Sequence, residues 1–558
     1  MKAKRLLSMI ALVLALAMCF AACGEPSEAP NTTATPTDDP GTQSGAENAG
    51  DSGKEYDDTI VIDMNSEVTN FDPAYLAGTT TSRVACFMMD HLCYMDHDGN
   101  IIPRVAESWE ANEDATVWTF HLRKDVKWHD GTPLVAADVK YNFDRIINPD
   151  VAALRAGDLA CVDSVEAPDD YTVVFKLNTP VAAFITKCLL INPGLLAQPK
   201  ALEEYGESYS DHVVGTGPYK LVEWIPGEKV RMEANPDFYL GEPATKYIEF
   251  RLIPDPMTAL IELEQGNIDF LFNIPSTEMA AFENNEDIVL ERAKDFGVCW
   301  IFLNVAMDPC NDINVRKAIA HAIDYETIYQ TMLTDFGLLA DSYLPNHNWA
   351  YTPDTLKYNY DPEYAKQCLA DSGWTDTDGD GLSDYDEVRI YGDGLVDKDG
   401  QTLKLEIGCT KRESDNVMLE AAQNYLRQVG IDVSMAVLEN AAYNERLHGA
   451  DFQAYVLNIS QDSPEPALLI DFSFPTWAGY NKFGYDNPRV DELVLAANST
   501  GDQEERKEFY IEIQKIIKED YVSLPFYSRY AQVGVSAKVE GFTHSAAIFD
   551  LQDVRVAK

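Results

Sequence analysis

Two hydrophobic periodicities interleave along the chain from about residue 57 onward, and they constrain the fold more than any other feature of the sequence. Residues 117–122 (VWTFHL) and 172–177 (TVVFKL) alternate apolar and polar side chains with period two, as half-buried strands do. Pro168-Asp169-Asp170 supplies a turn before the second. Val315, Ala318, Ile319, Ala322 and Ile323 follow i, i+3, i+4, i+7 and i+8, one face of a helix, with Asp312 or Asn314 placed to cap it. Phe509, Tyr510, Ile513, Ile516 and Ile517 do the same late in the chain, where Pro525 closes the segment. No long repeat is present. The fold class is therefore α/β. At roughly 150 residues per domain, 558 residues give three or four units, and 46% hydrophobic residues is ample for a large core.

With 43 Lys+Arg against 92 Asp+Glu, the formal net charge is -49. A surface this acidic repels a phosphate backbone and an anionic leaflet, which excludes nucleic-acid binding and electrostatic membrane docking. It suits solubility, cationic partners or divalent ions.

The N-terminus reads as an export signal. Lys2, Lys4 and Arg5 precede a 17-residue apolar run over residues 6–22, short of the roughly 20 residues a membrane-spanning helix needs, so 1–22 is assigned as a signal peptide. Phe20-Ala21-Ala22-Cys23-Gly24 resembles a bacterial lipobox, which makes Cys23 the expected lipid anchor; no clean A-x-A cleavage site precedes it. Two acyl chains on one cysteine anchor a protein without a transmembrane helix. Residues 23–56 are Pro, Thr, Ser, Gly, Ala, Asn and acids, the composition of a disordered tether. The protein is expected outside the cytoplasm, touching the membrane through its lipid only, and the long acidic tether favours a Gram-positive cell surface over a periplasm. Ten cysteines occur, eight of them beyond the anchor, with no CxxC. Most sit in apolar runs and read as buried free thiols, with one bridge, Cys161 to Cys188, left open as an alternative.

Asp376-Thr377-Asp378-Gly379-Asp380-Gly381-Leu382-Ser383-Asp384-Tyr385-Asp386-Glu387 satisfies D-x-D-x-D-G-x5-E in full. Calcium takes about six to eight hard oxygens. Asp376, Asp378 and Asp380 offer carboxylates on alternate residues, Gly381 a sharp bend, Leu382 a carbonyl, Asp384 a direct or water-bridged contact and Glu387 a bidentate cap. The expected cofactor is thus a structural Ca2+; an acidic hairpin loop is the alternative. Catalytic signatures are missing: there is no H-E-x-x-H, G-x-S-x-G, Walker A or G-x-G-x-x-G, and His129-Asp130-Gly131-Thr132-Pro133 reads as a tight turn. No enzyme activity is expected.

Four stretches taken together resemble the family 5 extracellular solute-binding proteins of ABC importers, the dipeptide-, oligopeptide- and nickel-binding group. They are residues 102–139 (IPRVAESWE, then WTFHLR, KWHDGTPL and ADV), 214–220 (VGTGPYK), 314–324 (NVRKAIAHAID) and 485–493 (YDNPRVDEL). Their order and spacing match the family across about residues 57–550. Trp109, Trp118, Phe120 and Trp128 in the first stretch read as core aromatics.

The resemblance implies a two-lobed periplasmic-binding-protein-like fold (type II, cluster C), its lobes joined by two crossing segments and closing over ligand, with an extra domain inserted near the N-terminus. Carried over, lobe I comprises 57–96, 213–292 and 521–558, the inserted domain 97–212, and lobe III 293–520 with the calcium-loop insertion at about 375–400. It implies a monomer that takes short peptides and passes them to ABC permease and ATPase subunits. Peptide-binding members pair the α-ammonium with an aspartate in a D-x-x-(D/E)-P segment, and in Ser460-Gln461-Asp462-Ser463-Pro464-Glu465-Pro466 that aspartate is Asp462. Peptides are held there as an added strand through main-chain hydrogen bonds. The candidate edges are Gly78-Thr79-Thr80 and Asn458-Ile459-Ser460, while Trp300 and Trp477 are expected to face or stack on ligand. Alternatives keep the fold and change the solute to a nickel chelate (with His321 or His347 as the cleft histidine), haem, an oligosaccharide or a signalling peptide, or make the chain a calcium-binding surface protein.

Overall fold

The periodic segments fold as their spacing predicts. Strands Val117–Leu122 and Thr172–Leu177 pair antiparallel and bury Trp118, Phe120, Leu122, Val173, Phe175 and Leu177 on one face. Asp169 closes the turn before the second, its Oδ1 accepting the Tyr171 amide at 2.8 Å. In helix Ile313–Ala322 the cap is Asp312, whose Oδ1 accepts the Asn314 amide at 2.8 Å, and Val315, Ala318, Ile319 and Ala322 are buried. Helix Gln503–Asp520 is capped by Asp502 and buries Tyr510, Ile513 and Ile517. Pro525 does not close this helix. The helix stops at Tyr521, in the left-handed region with φ 53°, and Pro525 lies inside the next strand, Ser523–Ser536. There the register skips Phe526, and this bulge accommodates a residue with no N–H to give.

The computed structural model describes residues 54–558 except 191, 273, 275–277, 280–281, 283–284, 354–357, 377–378, 380, 386–388, 392–393, 397–400, 460, 462 and 546–548, with backbone alone for the strand residues between 384 and 396. The expected signal peptide, the expected anchor Cys23 and nearly all of the expected tether therefore lie outside the described residues. No helix among the described residues is long and apolar enough to cross a membrane.

A sheet of eleven strands organises the body from Glu55 onward. Its order is Asp432–Leu438, Lys404–Thr410, Ala454–Asn458, Ile288–Leu303, Ser523–Ser536, Phe270–Leu271, Thr59–Met64, Tyr247–Leu252, Lys229–Ala234 and Tyr219–Ile225, with Gly337–Leu339 paired beside Ser523–Ser536. Ile288–Leu303 and Ser523–Ser536, of 16 and 14 residues, run antiparallel and belong to both halves. On one side the sheet packs a core around Trp300, Phe302, Tyr343 and Tyr510; on the other, a core around Phe71, Tyr219 and Phe250. These are two lobes joined by two crossing strands.

A separate four-stranded antiparallel sheet, ordered Ala106–Ala111, Val117–Leu122, Thr172–Leu177 and Val162–Asp169, carries helix Ala136–Ile147 and its own core. Trp118, Phe120 and Trp128 are buried in that core, with Trp109 packed at its edge. The 182–187 stretch of this body reaches the lobe built on Trp300. The Ala182 amide donates to the Asn498 carbonyl at 3.0 Å, and Lys187 Nζ lies 3.1 Å from Asp471 Oδ2, which also accepts from Asn498 Nδ2 at 2.8 Å. Burial works against the Lys187 ammonium, but the Asp471 charge and hydrogen bond outweigh it and raise its pKa.

Candidate functional site

Besides the bulge at Phe526, the crossing strands are interrupted more widely at a second place. Lys294 pairs with Tyr530 and Val298 with Ser528, so Asp295, Phe296 and Gly297 stand opposite Arg529 alone. Gly297 is required by contact: a Cβ there would sit 1.9 Å from the Ile459 carbonyl oxygen.

Asp295 is 1% exposed. Its Oδ1 accepts the amides of Gly297 at 2.7 Å and Gln461 at 2.8 Å, its Oδ2 lies 4.0 Å from Arg529 Nε, and its carbonyl is 3.0 Å from His347 Nε2. The Phe296 amide donates to the Gln461 carbonyl at 3.1 Å, completing a two-way tie between the bulge and the 459–463 loop. Burial lowers the His347 pKa, so the ring is held neutral in its contact with the Asp295 carbonyl. From the other side, Arg506 fixes the end of the same loop: its Nη1 is 3.2 Å from Glu465 Oε2, its Nη2 pairs with Glu465 Oε1, and its Nε donates to the Ala497 carbonyl at 3.1 Å. Both partners are more than nine-tenths buried.

Asn458, at the end of its strand, donates to Asp415 Oδ1 at 2.8 Å and to the Tyr527 hydroxyl at 2.9 Å. Burial raises the Asp415 pKa, with the Asn458 hydrogen bond and the Arg412 charge opposing it. The Ile459 amide bonds the Val298 carbonyl, so by alternation the Asn458 amide and carbonyl face away from the crossing strand. On that far side, pairing with Lys404–Thr410 ends at Tyr455. The strand thus presents an open edge, next to the loop braced by Asp295 and Arg506. An open edge is where an extended chain adds as a further strand.

Asp462 and Ser460 lie outside the described residues. Gln461 is held by the Asp295 bulge, and its Nε2 donates to the Leu468 carbonyl at 3.2 Å. In the other lobe Gly78 and Thr79 are exposed at the start of helix Thr79–Ala85, while Thr80 is buried, hydrogen-bonding Ser66 at 2.7 Å and Asn65 at 3.0 Å. Trp300 corrects an expectation. It is fully buried in its lobe's core, stacked on Tyr343 with ring centroids 5.0 Å apart. A central strand buried on both faces gives no periodicity from which to tell core from cleft. Trp477 is 55% exposed, in the same surface segment as Phe472 and Tyr480.

Asp72 is a turn anchor, paired bidentately with Arg145 at 2.7 and 2.6 Å. His129 bonds backbone of residues 215–217, and Asp130 folds back onto Thr132, as a turn requires. His321 is tied to the Asn359 carbonyl at 2.8 Å and the Tyr521 hydroxyl at 3.3 Å, in a structural setting. Of the loop expected to bind calcium, Asp376 is exposed and accepts the amides of Gly379 at 2.7 Å and Gly381 at 3.2 Å, Leu382 is half-buried, and Asp384 pairs with Thr375 through the backbone. Asp378, Asp380 and Glu387 lie outside the described residues, among which no metal-binding cluster is found. Asp295, Asp415, Arg506 and Arg529 were not singled out by the sequence.

Residues 100–481 match the family described as bacterial extracellular solute-binding proteins, family 5 (middle). The chain belongs to this family. Among family 5 relatives, the oligopeptide-binding protein AppA of Bacillus subtilis (strain 168) is 29% identical over 502 residues, covering 87% of this chain and 89% of AppA. The structure of B. subtilis AppA with a nonapeptide matches with a TM-score of 0.72 at 24% identity, covering 90% of this chain and 100% of that one. NikA from Brucella suis with Fe(III)-EDTA matches with a TM-score of 0.77 at 24% identity, again over 90% and 100%. The fold is accordingly the two-lobed α/β fold of periplasmic binding proteins.

Proposed function

We propose that this protein is the substrate-binding lipoprotein of an ABC importer, anchored through Cys23 outside the cytoplasm, that captures short peptides between its lobes and hands them to the permease. The observation that carries the reading is the end of the ladder to Lys404–Thr410 at Tyr455, which leaves Asn458 beyond it and beside the braced 459–463 loop. An added peptide strand gains its affinity from main-chain hydrogen bonds, and Asp462, one residue beyond Gln461, is the anion for its α-ammonium. Removing one partner of such a cleft-buried pair costs about 2–5 kcal/mol. The proposed lobe I is 57–96, 213–292 and 521–558, the inserted domain 97–212 and lobe III 293–520. AppA, solved with a nonapeptide, supports the peptide reading.

The test is to acid-denature the purified protein and identify released molecules by mass spectrometry, beside an Asp462→Ala control. Mixed short peptides, lost in the control, are expected. Peptides retained in the control leave the function and remove the anchor. A single non-peptide species replaces the peptide by another solute. A metal chelate is the second reading, favoured by His347 at the crossing.

We further propose that the 376–387 loop binds Ca2+ as a structural ion. The turn that Asp376 makes with Gly379 and Gly381 is the arrangement its sequence pattern requires. Calorimetric titration with calcium should give one site, lost in Asp376→Ala; no heat at millimolar calcium would refute it.

A further inference from the structure

Cys161 directly precedes strand Val162–Asp169, and Cys188 sits in the wide helical turn Ile185–Leu189. Their Sγ atoms are 3.7 Å apart. Each backbone is fixed independently. Asn178 grips the first side, its amide donating to the Cys161 carbonyl and its Nδ2 to the Ala160 carbonyl, both at 2.8 Å. The second side is held by the Lys187 amide on the Ala183 carbonyl at 2.9 Å and the Leu190 amide on the Ile185 carbonyl at 3.0 Å. With both backbones held, a disulfide requires the sulfurs to close from 3.7 Å to roughly 2.05 Å.

We propose that Cys161 and Cys188 form a disulfide in the mature protein, made by exchange with a disulfide of the extracytoplasmic environment. Cys161, the more accessible of the two, attacks one sulfur of R–S–S–R as its thiolate, and the displaced thiolate takes up the Cys161 proton and leaves as R–SH. Cys188 then attacks the Cys161 sulfur of the mixed disulfide, forming the internal bond and releasing a second R–SH that carries the Cys188 proton. Two protein thiols are oxidised and one disulfide is reduced. The order follows accessibility, Cys161 being half-buried and Cys188 buried. Disulfides persist outside the cytoplasm, where such partners are available.

The bond would close a loop between residues 27 apart and clamp the turn from which Ala182 and Lys187 reach the far lobe. The alternative is a pair of permanent thiols sharing an S–H···S contact. The mature full-length chain, prepared without reductant and equilibrated with oxidised glutathione, is alkylated in denaturant and digested unreduced. Peptides containing Cys161 and Cys188 are expected as one linked species that dithiothreitol splits. Reduction is expected to lower the thermal midpoint by roughly 5 °C or more, with no such response in Cys161→Ser/Cys188→Ala. Recovery of both residues alkylated, or of each carrying its own glutathione, overturns the proposal, and that readout needs only the unaltered chain.

Discussion

A single buried carboxylate, Asp295, ties the strand crossing to the 459–463 loop, and its substitution should be felt at both. Asp295→Ala takes the acceptor from the buried Gly297 amide and the half-buried Gln461 amide, at about 1–3 kcal/mol for the first and less for the second. Urea unfolding should register a loss of roughly 3 kcal/mol, with Asp295→Asn, which keeps one oxygen, falling between. Gly297→Ala should separate the 459–463 loop from the bulge, because the new methyl and the Ile459 carbonyl cannot share 1.9 Å. Peptide affinity is then expected to fall while the far-ultraviolet dichroism stays unchanged. Two buried titrating groups act in opposite senses. Burial holds His129 at about 4 against an ordinary 6.5, so the stability it contributes is present above 6.5 and is lost as pH falls toward 4. Burial pushes Asp63 up to about 6 from 3.8, so its contribution is present below 3.8 and is lost as pH rises through 6. Unfolding measured from pH 4 to 7 should show a shallower acid-side decline in His129→Gln. Asp63→Asn should gain on the parent protein as pH rises, by up to about 3 kcal/mol.

At the scale of elements, helix Gln503–Asp520 does more than cover the sheet. Its first-turn Arg506 reaches back to Glu465 and fixes the loop end that follows Asp462 in sequence. Arg506→Met strands a buried carboxylate, with an expected cost of about 3–5 kcal/mol in chemical unfolding. The buried stripe of this helix was legible in the sequence, as were helix Ile313–Ala322 with its Asp312 cap and the strands 117–122 and 172–177, because each is set by spacing within a few residues. The bulge was not legible. Asp295 meets Gln461 across 166 residues, and no local period records such a contact. Trp300 was misplaced for a related reason: in an all-apolar strand, neighbours supplied by Tyr343 and Phe474 decide what a face touches. Pro525 misled because the bulge at Phe526 lets a strand keep a residue that ordinarily ends one.

For the molecule as a whole, what matters is how the bodies are held against each other. Lys187 and Asp471 join the four-stranded body to the lobe carrying the open edge, with both side chains largely buried. Closure is stabilised by whatever favours the closed arrangement over the open one, ligand or contact alike. Lys187→Met removes a contact between the two bodies and leaves Asp471 with Asn498 and Tyr510 as partners, so the peptide Kd is expected to rise about tenfold, or about 1.4 kcal/mol. Small-angle scattering of the variant should show a larger radius of gyration at equal ligand concentration. Because one hydrogen-bonded sheet runs through both lobes, the crossing has the mechanics of a leaf spring with one thinned section, not of a door on a loose pin. Bending is expected to concentrate at residues 295–297, where three residues face one and the ladder is broken most widely. The resting angle and stiffness of the jaws are then written into that short stretch, and a substitution there could retune how tightly the protein grips every cargo without altering any atom that the cargo touches.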